Sequence, residues 1–195
     1  MTDKKTAIYE SAKELFVQEG YKNVSLRDIA EAAGTTIGNL TYHFPKKEDL
    51  LLRIQKELYE EFFSVFDSDI TQENALNVLL DSFREIQEIR EKNRFYYEYI
   101  VNIHEEFFSM KEELLKFRKR LTSFYQNIFR TLVETGTMRA DLSAANYDHL
   151  VTTISYLTYT WYQVTTPYYD DMENLSLSET LASLIQPYLT GKEMK

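Results

Sequence analysis

The sequence contains no cysteine, only 5 glycines and 3 prolines, and no long uninterrupted apolar run. The absence of cysteine excludes disulfide bonds, thiolate metal sites and a cysteine nucleophile. Few glycines and prolines, together with long 3.6-residue periodicities and almost no alternating β-branched runs, predict an all-α protein. Since no stretch has the roughly 18 apolar residues of a membrane span and the N-terminus lacks an apolar leader, we expect a cytoplasmic protein.

Negative charge predominates, with 31 acidic and 22 basic residues and a formal net charge of -9. Such a balance disfavours nucleic-acid binding, because affinity for phosphates comes largely from lysine and arginine. The charges are unevenly distributed, however: residues 1–56 carry nine basic and eight acidic side chains, whereas the remainder carries 13 and 23. Only the nearly neutral N-terminal segment is suited to approach a phosphate backbone.

Three helices are predicted in this N-terminal segment. The first runs from Lys4 to Glu19 and has Gly20 in the position of a C-terminal cap. The second opens at Ser25 with a capping box closed by Asp28, and the third is capped by Thr36. A fourth helix begins after Pro45, within Lys46-Lys47-Glu48, and continues to about Val65.

The second and third helices are short and are separated by a turn at Gly34. Together with the preceding packing helix they form a helix-turn-helix pattern, in which the second short helix lies in the DNA major groove. Leu40 and Phe44 form the buried side of that helix. Its outward residues are hydrogen-bonding or small residues: Thr36, Gly38, Asn39, Thr41, Tyr42 and His43.

The segment AKELFVQEGYKNVSLRDIAEAAGTTIGNLTYHFPKKEDLL resembles the N-terminal domain of the TetR family of bacterial transcriptional regulators. The shared pattern includes G-Y/F-x-x-x-[ST]-x-x-x-I-A-x-x-A-G and, after it, a G-x-[LI]-Y-x-[HY]-F-x-x-K-E-x-L motif in which Thr41 replaces the tyrosine. This resemblance implies a three-helix DNA-binding domain in residues 1–50, with its helix-turn-helix at about 25–44. It also implies a larger helical domain for ligand binding and dimerisation in residues 51–195.

Carried over position by position, the resemblance assigns DNA contacts to eight residues. It implies that Ser25 and Arg27 lie near the DNA backbone and that Lys47, with the amide end of the fourth helix, binds a phosphate. It places Thr36, Gly38, Asn39 and Tyr42 at phosphates or base edges, with His43 beside them. Ile37 and Thr41 depart from the family pattern, which often has lysine and tyrosine there; both are also DNA-binding candidates, because their apolar groups can contact a thymine methyl group.

Beyond a break at residues 67–74, helical periodicity predicts segments at about 73–91, 94–107, 110–135, 144–165 and 177–190, with a long loop at 164–178. The chain has fifteen tyrosines and twelve phenylalanines, and amphipathic tyrosine rings on neighbouring helices can line a cavity that has a few polar anchors. The resemblance implies a ligand pocket in this larger domain. The alternative is that most of these rings belong to the ordinary packed core. The candidate pocket residues are Tyr99, Phe124, Tyr159 and Trp161.

A stripe of apolar residues at helical spacing lies along the last predicted helix. In a monomer this stripe would belong to the core, whereas the resemblance implies a four-helix dimer interface made with the 144–165 helix. The candidate interface residues are Leu150, Ile154, Leu157, Leu177, Leu181, Leu184, Ile185 and Tyr188.

The sequence therefore predicts a homodimeric, DNA-binding transcriptional regulator that represses at a palindromic operator and is released by a small apolar or amphipathic molecule. The alternative is a DNA-binding protein of the same build that acts through a protein partner. An enzyme is not expected, because there is no glycine-rich phosphate loop, G-x-S-x-G motif or metal-ligand spacing. No metal or other cofactor is expected. A di-iron helical bundle needs Glu-x-x-His pairs, and the residues three positions before His43, His104 and His149 are not glutamates.

Overall fold

The structure, a computed structural model, describes residues 3–168 and 175–191. Within these ranges the chain forms α-helices, one 3-10 turn at Gln186–Tyr188 and a single bridge between Met138 and Leu189. The helices are α1 Lys4–Glu19, α2 Leu26–Ala32, α3 Ile37–His43, α4 Lys47–Phe66, α5 Ala75–Lys92, α6 Arg94–Glu98, α7 Ile100–Glu106, α8 Phe108–Glu134, α9 Ala144–Tyr168 and α10 Leu177–Ile185. The prediction of an all-α fold is confirmed.

The chain folds as two compact units. The first contains the residues up to Leu58 together with Val101–Lys111, and the second contains Tyr59–Ile100 and the chain from Glu112 onward. This division differs from the predicted boundary after residue 50, because the first part of α4 packs with a segment distant in sequence. Gln55 on α4 shows why: its amide nitrogen lies 2.7 Å from a ring nitrogen of His104 and donates to the carbonyl oxygen of Met110 at 3.0 Å.

The first unit is built on α1, which has the bounds that the sequence predicts. Ile8, Ala12 and Phe16 are fully buried on one face, as their i, i+4, i+8 spacing requires. Gly20 ends the helix with a φ of 78°, and its N–H donates to the carbonyl oxygen of Phe16 at 3.1 Å. Helices α2 and α3 pack on α1 and on each other. Each short helix therefore has one covered face and one face directed outward.

The second unit has an aromatic core. The ring of Phe117 on α8 stacks on that of Tyr59 on α4, with centroids 4.3 Å apart, and meets the ring of Phe62 edge-on at 5.3 Å. Helix α10 packs against α5 and α9. Its first turn is fixed to α5 by Gln87, whose side-chain oxygen Oε1 accepts hydrogen bonds from the Ser176 hydroxyl at 2.7 Å and the Ser178 N–H at 2.8 Å.

Three predicted boundaries differ from the structure. The helix predicted at 94–107 is divided into α6 and α7, with Tyr99 between them. Helix α9 extends to Tyr168, into the loop predicted at 164–178, and residues 169–174 of that loop lie outside the described residues. The last helix stops at Ile185, where Pro187, which has no N–H to donate, is accommodated in the 3-10 turn.

Most of the predicted dimer stripe is buried within its own chain. Because α10 packs on α5 and α9, these side chains have no surface left to offer a second copy, and their assignment to the interface is corrected. The covered residues are Leu150, Ile154, Leu177, Leu181 and Ile185. Leu157, Leu184 and Tyr188 are half-exposed and remain candidates for an interface.

Candidate DNA-binding surface and ligand cavity

A reciprocal capping box sets the start of α2. The backbone N–H of Ser25 donates to the Asp28 carboxylate at 2.7 Å, and the N–H of Asp28 donates to the Ser25 hydroxyl oxygen at 3.3 Å. The side-chain hydrogen bond with Ser25 lowers the pKa of Asp28, so the carboxylate stays ionised at the positive end of the helix. Ser25 and Arg27 are both exposed at this end.

The turn between α2 and α3 depends on Gly34, whose φ of 59° lies in the left-handed region that favours glycine. After it, Thr36 caps α3 by accepting a hydrogen bond from the Asn39 N–H at 3.2 Å. Leu40 and Phe44 are buried, as predicted, at 0% and 4% exposure. This burial determines which face of α3 is directed outward.

The outward face of α3 combines a protruding ring with an accessible backbone. Tyr42 is 81% exposed and Ile37 is 43% exposed. A Cβ built at Gly38 would meet nothing within 4 Å, so the backbone there is open to a close approach by another molecule. The His43 ring is half-buried and meets the Tyr42 ring edge-on at a centroid distance of 5.1 Å.

Two predicted contact residues are engaged within α3 and its cap. The Asn39 side-chain nitrogen donates to the Thr35 hydroxyl oxygen at 2.8 Å, so a bidentate contact with adenine requires this bond to break. The Thr41 hydroxyl lies 3.0 Å from the Ile37 carbonyl oxygen and 3.2 Å from that of Gly38. Thr41 therefore has its hydroxyl on the helix backbone, and its methyl group remains for the predicted apolar contact.

The ammonium group of Lys47, which is predicted to bind a phosphate, has hydrogen-bond partners within the chain. This group donates to the carbonyl oxygens of Tyr21 at 2.6 Å and Val24 at 3.2 Å, rather than extending toward solvent. Burial lowers the pKa of Lys47, while the nearby charge of Glu106 raises it. The N–H of Lys46, just before α4, is also capped by Asp49 at 2.8 Å. The ammonium assigned to a phosphate thus connects α4 to the turn before α2.

A basic residue that the sequence analysis did not select lies beside α3. Lys5 on α1 has its ammonium group 5.8 Å from the centroid of the Phe44 ring. It lines a groove of about 570 Å³ together with His43, Arg53 and Lys56. The only sequence signal is the Lys4-Lys5 pair before the first apolar position, which is too common at helix starts to select a site.

The second unit contains a cavity of about 110 Å³ lined by residues of α5, α8 and α9, named here the Arg90 cavity. Of the four rings predicted to line a pocket, Tyr159 lines it. Phe124 instead packs on Phe66 with a centroid distance of 5.0 Å, Tyr99 is exposed between α6 and α7, and Trp161 is half-buried on α9. Of the four predicted rings, Tyr159 is thus the one that lines the Arg90 cavity.

Arg90, like Lys5, was not among the residues selected from the sequence. Only 3% of it is exposed, and its guanidinium carbon lies 4.3 Å from the Tyr97 ring centroid and 5.4 Å from that of Phe62. Burial lowers the pKa of Arg90, whereas the neighbouring tyrosines raise it. A signal was present, because Arg90 follows Leu79, Phe83 and Ile86 in the buried phase of α5.

Among the described residues, no helix is long and apolar enough to cross a membrane, and no cluster of histidine or carboxylate side chains could hold a metal ion. The first unit thus presents a helix-turn-helix with an outward second short helix, and the second unit presents a helical body with an internal cavity. This combination defines a helix-turn-helix transcriptional regulator.

Two family models match the chain. The model described as "Bacterial regulatory proteins, tetR family" matches residues 8–54, and the one described as "Bacterial transcriptional repressor" matches residues 56–195. The chain therefore belongs to the TetR family of bacterial transcriptional regulators, and it is a DNA-binding regulator rather than an enzyme.

Individual relatives agree with this family. The probable regulator YttP of Bacillus subtilis is 30% identical over 100 residues, which is 48% of this chain and 48% of YttP. The repressor KstR2 of Rhodococcus jostii is 22% identical over 167 residues, covering 82% of this chain and 80% of its own. The regulator RutR of Escherichia coli is 39% identical over 57 residues, 29% of this chain and 27% of RutR. The match thus spans about half of YttP and about a quarter of RutR.

Solved structures extend the likeness of fold to nearly the whole chain. A TetR-family regulator from Marinobacter aquaeolei superposes with a TM-score of 0.78 at 21% identity, covering 97% of this chain and 92% of its own. The ketosteroid regulator KstR2 of Mycobacterium tuberculosis gives 0.65 at 20% identity, covering 97% and 96%.

Proposed function

We propose that this regulator is a repressor that binds a palindromic operator as a homodimer and leaves it when a small molecule binds in the second unit. The exposed face of α3 carries the DNA-binding part of the proposal. Tyr42 protrudes there beside the open backbone at Gly38, and both stand on a helix held by the buried Leu40. A stiff ring with a hydroxyl group and an accessible backbone suit phosphate and base-edge contacts in a major groove.

The homodimer is supported by the three half-exposed residues of the predicted stripe, Leu157, Leu184 and Tyr188. A two-fold dimer places two copies of α3 on successive major grooves, so a palindromic operator with half-sites about one helical turn apart matches it. In the living cell such a protein works in the cytoplasm, where the operator is.

Release by a small molecule, rather than by a protein partner, is supported by the Arg90 cavity. Aromatic and apolar side chains with a few polar groups line this cavity, and this is the kind of lining found in small-molecule sites. Arg90 at this cavity contacts Phe62, which lies on α4, the helix that begins at Lys47 in the first unit. A ligand that favours one position of α4 over another can therefore change the affinity for DNA.

Selection of bound DNA from a random pool tests the DNA-binding part. We expect the selected sequences to converge on an inverted repeat, and we expect Tyr42→Ala to weaken its retention in a gel by at least tenfold while the variant stays folded. Phe108→Ala is the matched control, since that ring is 73% exposed but lies outside the helix-turn-helix. Convergence on no sequence, or undiminished binding by Tyr42→Ala, would refute the proposal.

A further inference from the structure

Arg90 occupies a position where arginine is rarely found. It lies in the last turn of α5, in phase with the buried Phe83 and Ile86, and almost none of its surface reaches solvent. Arginine is almost never fully buried in proteins unless it is paired. The described part of the chain gives Arg90 no carboxylate: none of the ion pairs found there includes it.

Two aromatic rings cover the guanidinium of Arg90. The rings of Phe62 and Tyr97 provide cation-π contacts, at 5.4 and 4.3 Å from its central carbon. The N–H groups point along the plane, and there Nε and Nη1 are buried with no hydrogen-bond partner among the described residues. Two buried nitrogens of a charged group thus lack a hydrogen-bond partner among the described residues.

The same side chain lines the Arg90 cavity, where the hydroxyl groups of Ser155 and Thr158 are already hydrogen-bonded to their own helix. The Ser155 hydroxyl donates to the Val151 carbonyl oxygen at 2.8 Å, and the Thr158 hydroxyl donates to that of Ile154 at 2.9 Å. Leu114 and Phe117 supply an apolar wall. A buried cation with unused donors beside an apolar wall matches a molecule with a negative group at one end and an apolar remainder.

We propose that the Arg90 cavity binds a small carboxylic acid, that Arg90 pairs with its carboxylate, and that this acid is the effector, an inference that rests on the proposed ligand-controlled repression. A volume of about 110 Å³ equals that of about four water molecules, so a short-chain acid fits. The exposed side chains of Arg118 and Tyr156 line the same cavity and mark its opening to solvent.

The geometry also indicates how the acid acts on DNA binding. A carboxylate held by Arg90 lies beside a guanidinium that contacts Phe62 of α4. Pairing changes the charge and the hydrogen bonding of this contact without any need for a large movement in the cavity. The bound acid stabilises the position of α4 in which Arg90 can pair with the carboxylate. The operator is released if this position of α4 differs from the one in the DNA-bound protein.

Calorimetry with chemically matched probes tests the site on the unmodified protein. Butyrate and hexanoate differ from butyramide and hexanamide mainly in charge, and we expect the acids to bind at least tenfold more tightly. The fluorescence of Trp161, the single tryptophan, gives a second readout from the same unit. Equal affinity for acid and amide, or no binding of either acid at millimolar concentration, would overturn the proposal without any mutation.

Variants then locate the receptor. Arg90→Met keeps the length of the side chain and removes its charge, and we expect at least a tenfold loss of acid affinity; Arg90→Lys restores part of it, since an ammonium lacks the planar fork. Arg84→Met is the control, because Arg84 lies on the same helix but is exposed and paired with Asp81 at 2.5 Å. Unchanged acid binding by folded Arg90→Met and Arg90→Lys, checked by circular dichroism, would contradict the assignment.

Gel retention of the selected operator distinguishes a failure of this inference from a failure of the proposed repressor function. Release of DNA by butyrate or hexanoate from the wild type, but not from Arg90→Met, supports both. Operator binding by a protein that binds no acid overturns the inference and leaves the regulator intact. Acid binding at Arg90 that does not release DNA overturns the effector role. Acid binding by a protein that retains no DNA refutes the proposed function and leaves the acid site in place.

Discussion

The ammonium group of Lys47 donates a hydrogen bond to the backbone carbonyl oxygen of Tyr21, 2.6 Å away. Its second bond, to the Val24 carbonyl oxygen at 3.2 Å, and the position of the charge 5.5 Å from the Tyr21 ring centroid make it a link between α4 and the turn before α2. A residue that the sequence assigned to a phosphate therefore positions the helix-turn-helix from within.

Replacement of Lys47 by methionine is expected to lower the free energy of unfolding by about 1 kcal/mol, because two carbonyl oxygens lose a charged donor. DNA affinity should fall with it, while the slope of log affinity against log salt stays the same. The control Lys46→Ala, at an exposed position, should change the stability little. A drop of about one unit in the salt slope for Lys47→Met would instead mean that Lys47 leaves its carbonyls to bind a phosphate.

Substitution by alanine is expected to change the stability of the protein in opposite directions at Gly38 and at Gly34. Gly38 is in a helix with open space at the Cβ position, so Gly38→Ala is expected to stabilise the protein by about 0.5–1 kcal/mol while weakening DNA binding. Gly34 has a φ of 59°, and Gly34→Ala should cost about 1–2 kcal/mol. Urea unfolding and gel retention of both variants check this. Full DNA affinity in Gly38→Ala would show that no close approach occurs at this position.

His104 should make stability depend on pH. Burial lowers the pKa of His104 from the ordinary 6.5 to about 4. Between these two pH values His104 is therefore protonated in the unfolded chain and neutral in the folded chain. This contribution to stability is present above pH 6.5 and declines as the pH falls toward 4, by up to about 1.4 kcal/mol per pH unit. The free energy of unfolding of the wild type and of His104→Gln is measured from pH 7 to pH 5. The difference, wild type minus variant, should show this decline.

A charge on the half-exposed part of the stripe should dissociate the dimer. Leu184→Glu is expected to give a monomer in light scattering and to lose operator affinity, because a carboxylate buried at an interface without a partner is strongly unfavourable. Asn127→Glu adds the same charge to an exposed position of α8 and should leave the dimer unchanged. A dimer that persists in Leu184→Glu would place the interface elsewhere.

The local part of the first unit was predictable because its signals act over a few residues. Ser25 and Asp28 form the capping box that their spacing predicts, Gly34 has the left-handed φ that a tight turn needs, and Leu40 is buried. Each of these depends on neighbours within about four positions, so the sequence specifies it without knowledge of the remaining chain.

Contacts between residues distant in sequence were not predictable in the same way. Lys47 is 26 positions from Tyr21, and its target is a backbone carbonyl, which has no signature in the sequence. Leu181 and Ile185 satisfy the spacing of a core and of an interface equally well, and only the packing of α10 on α5 and α9 distinguishes them. Periodicity indicates which face is covered and leaves open what covers it.

The sequence by itself determined the helical class, the bounds of α1 to α3, the outward face of α3 and membership of the TetR family, because local periodicity, capping and turn chemistry encode them. The tertiary structure alone decided that Lys47 is directed inward, that five residues of the apolar stripe belong to the core, and that Arg90 is buried beside a cavity with unused donors. The physical reason is that burial and hydrogen-bond satisfaction depend on the positions of all neighbouring helices.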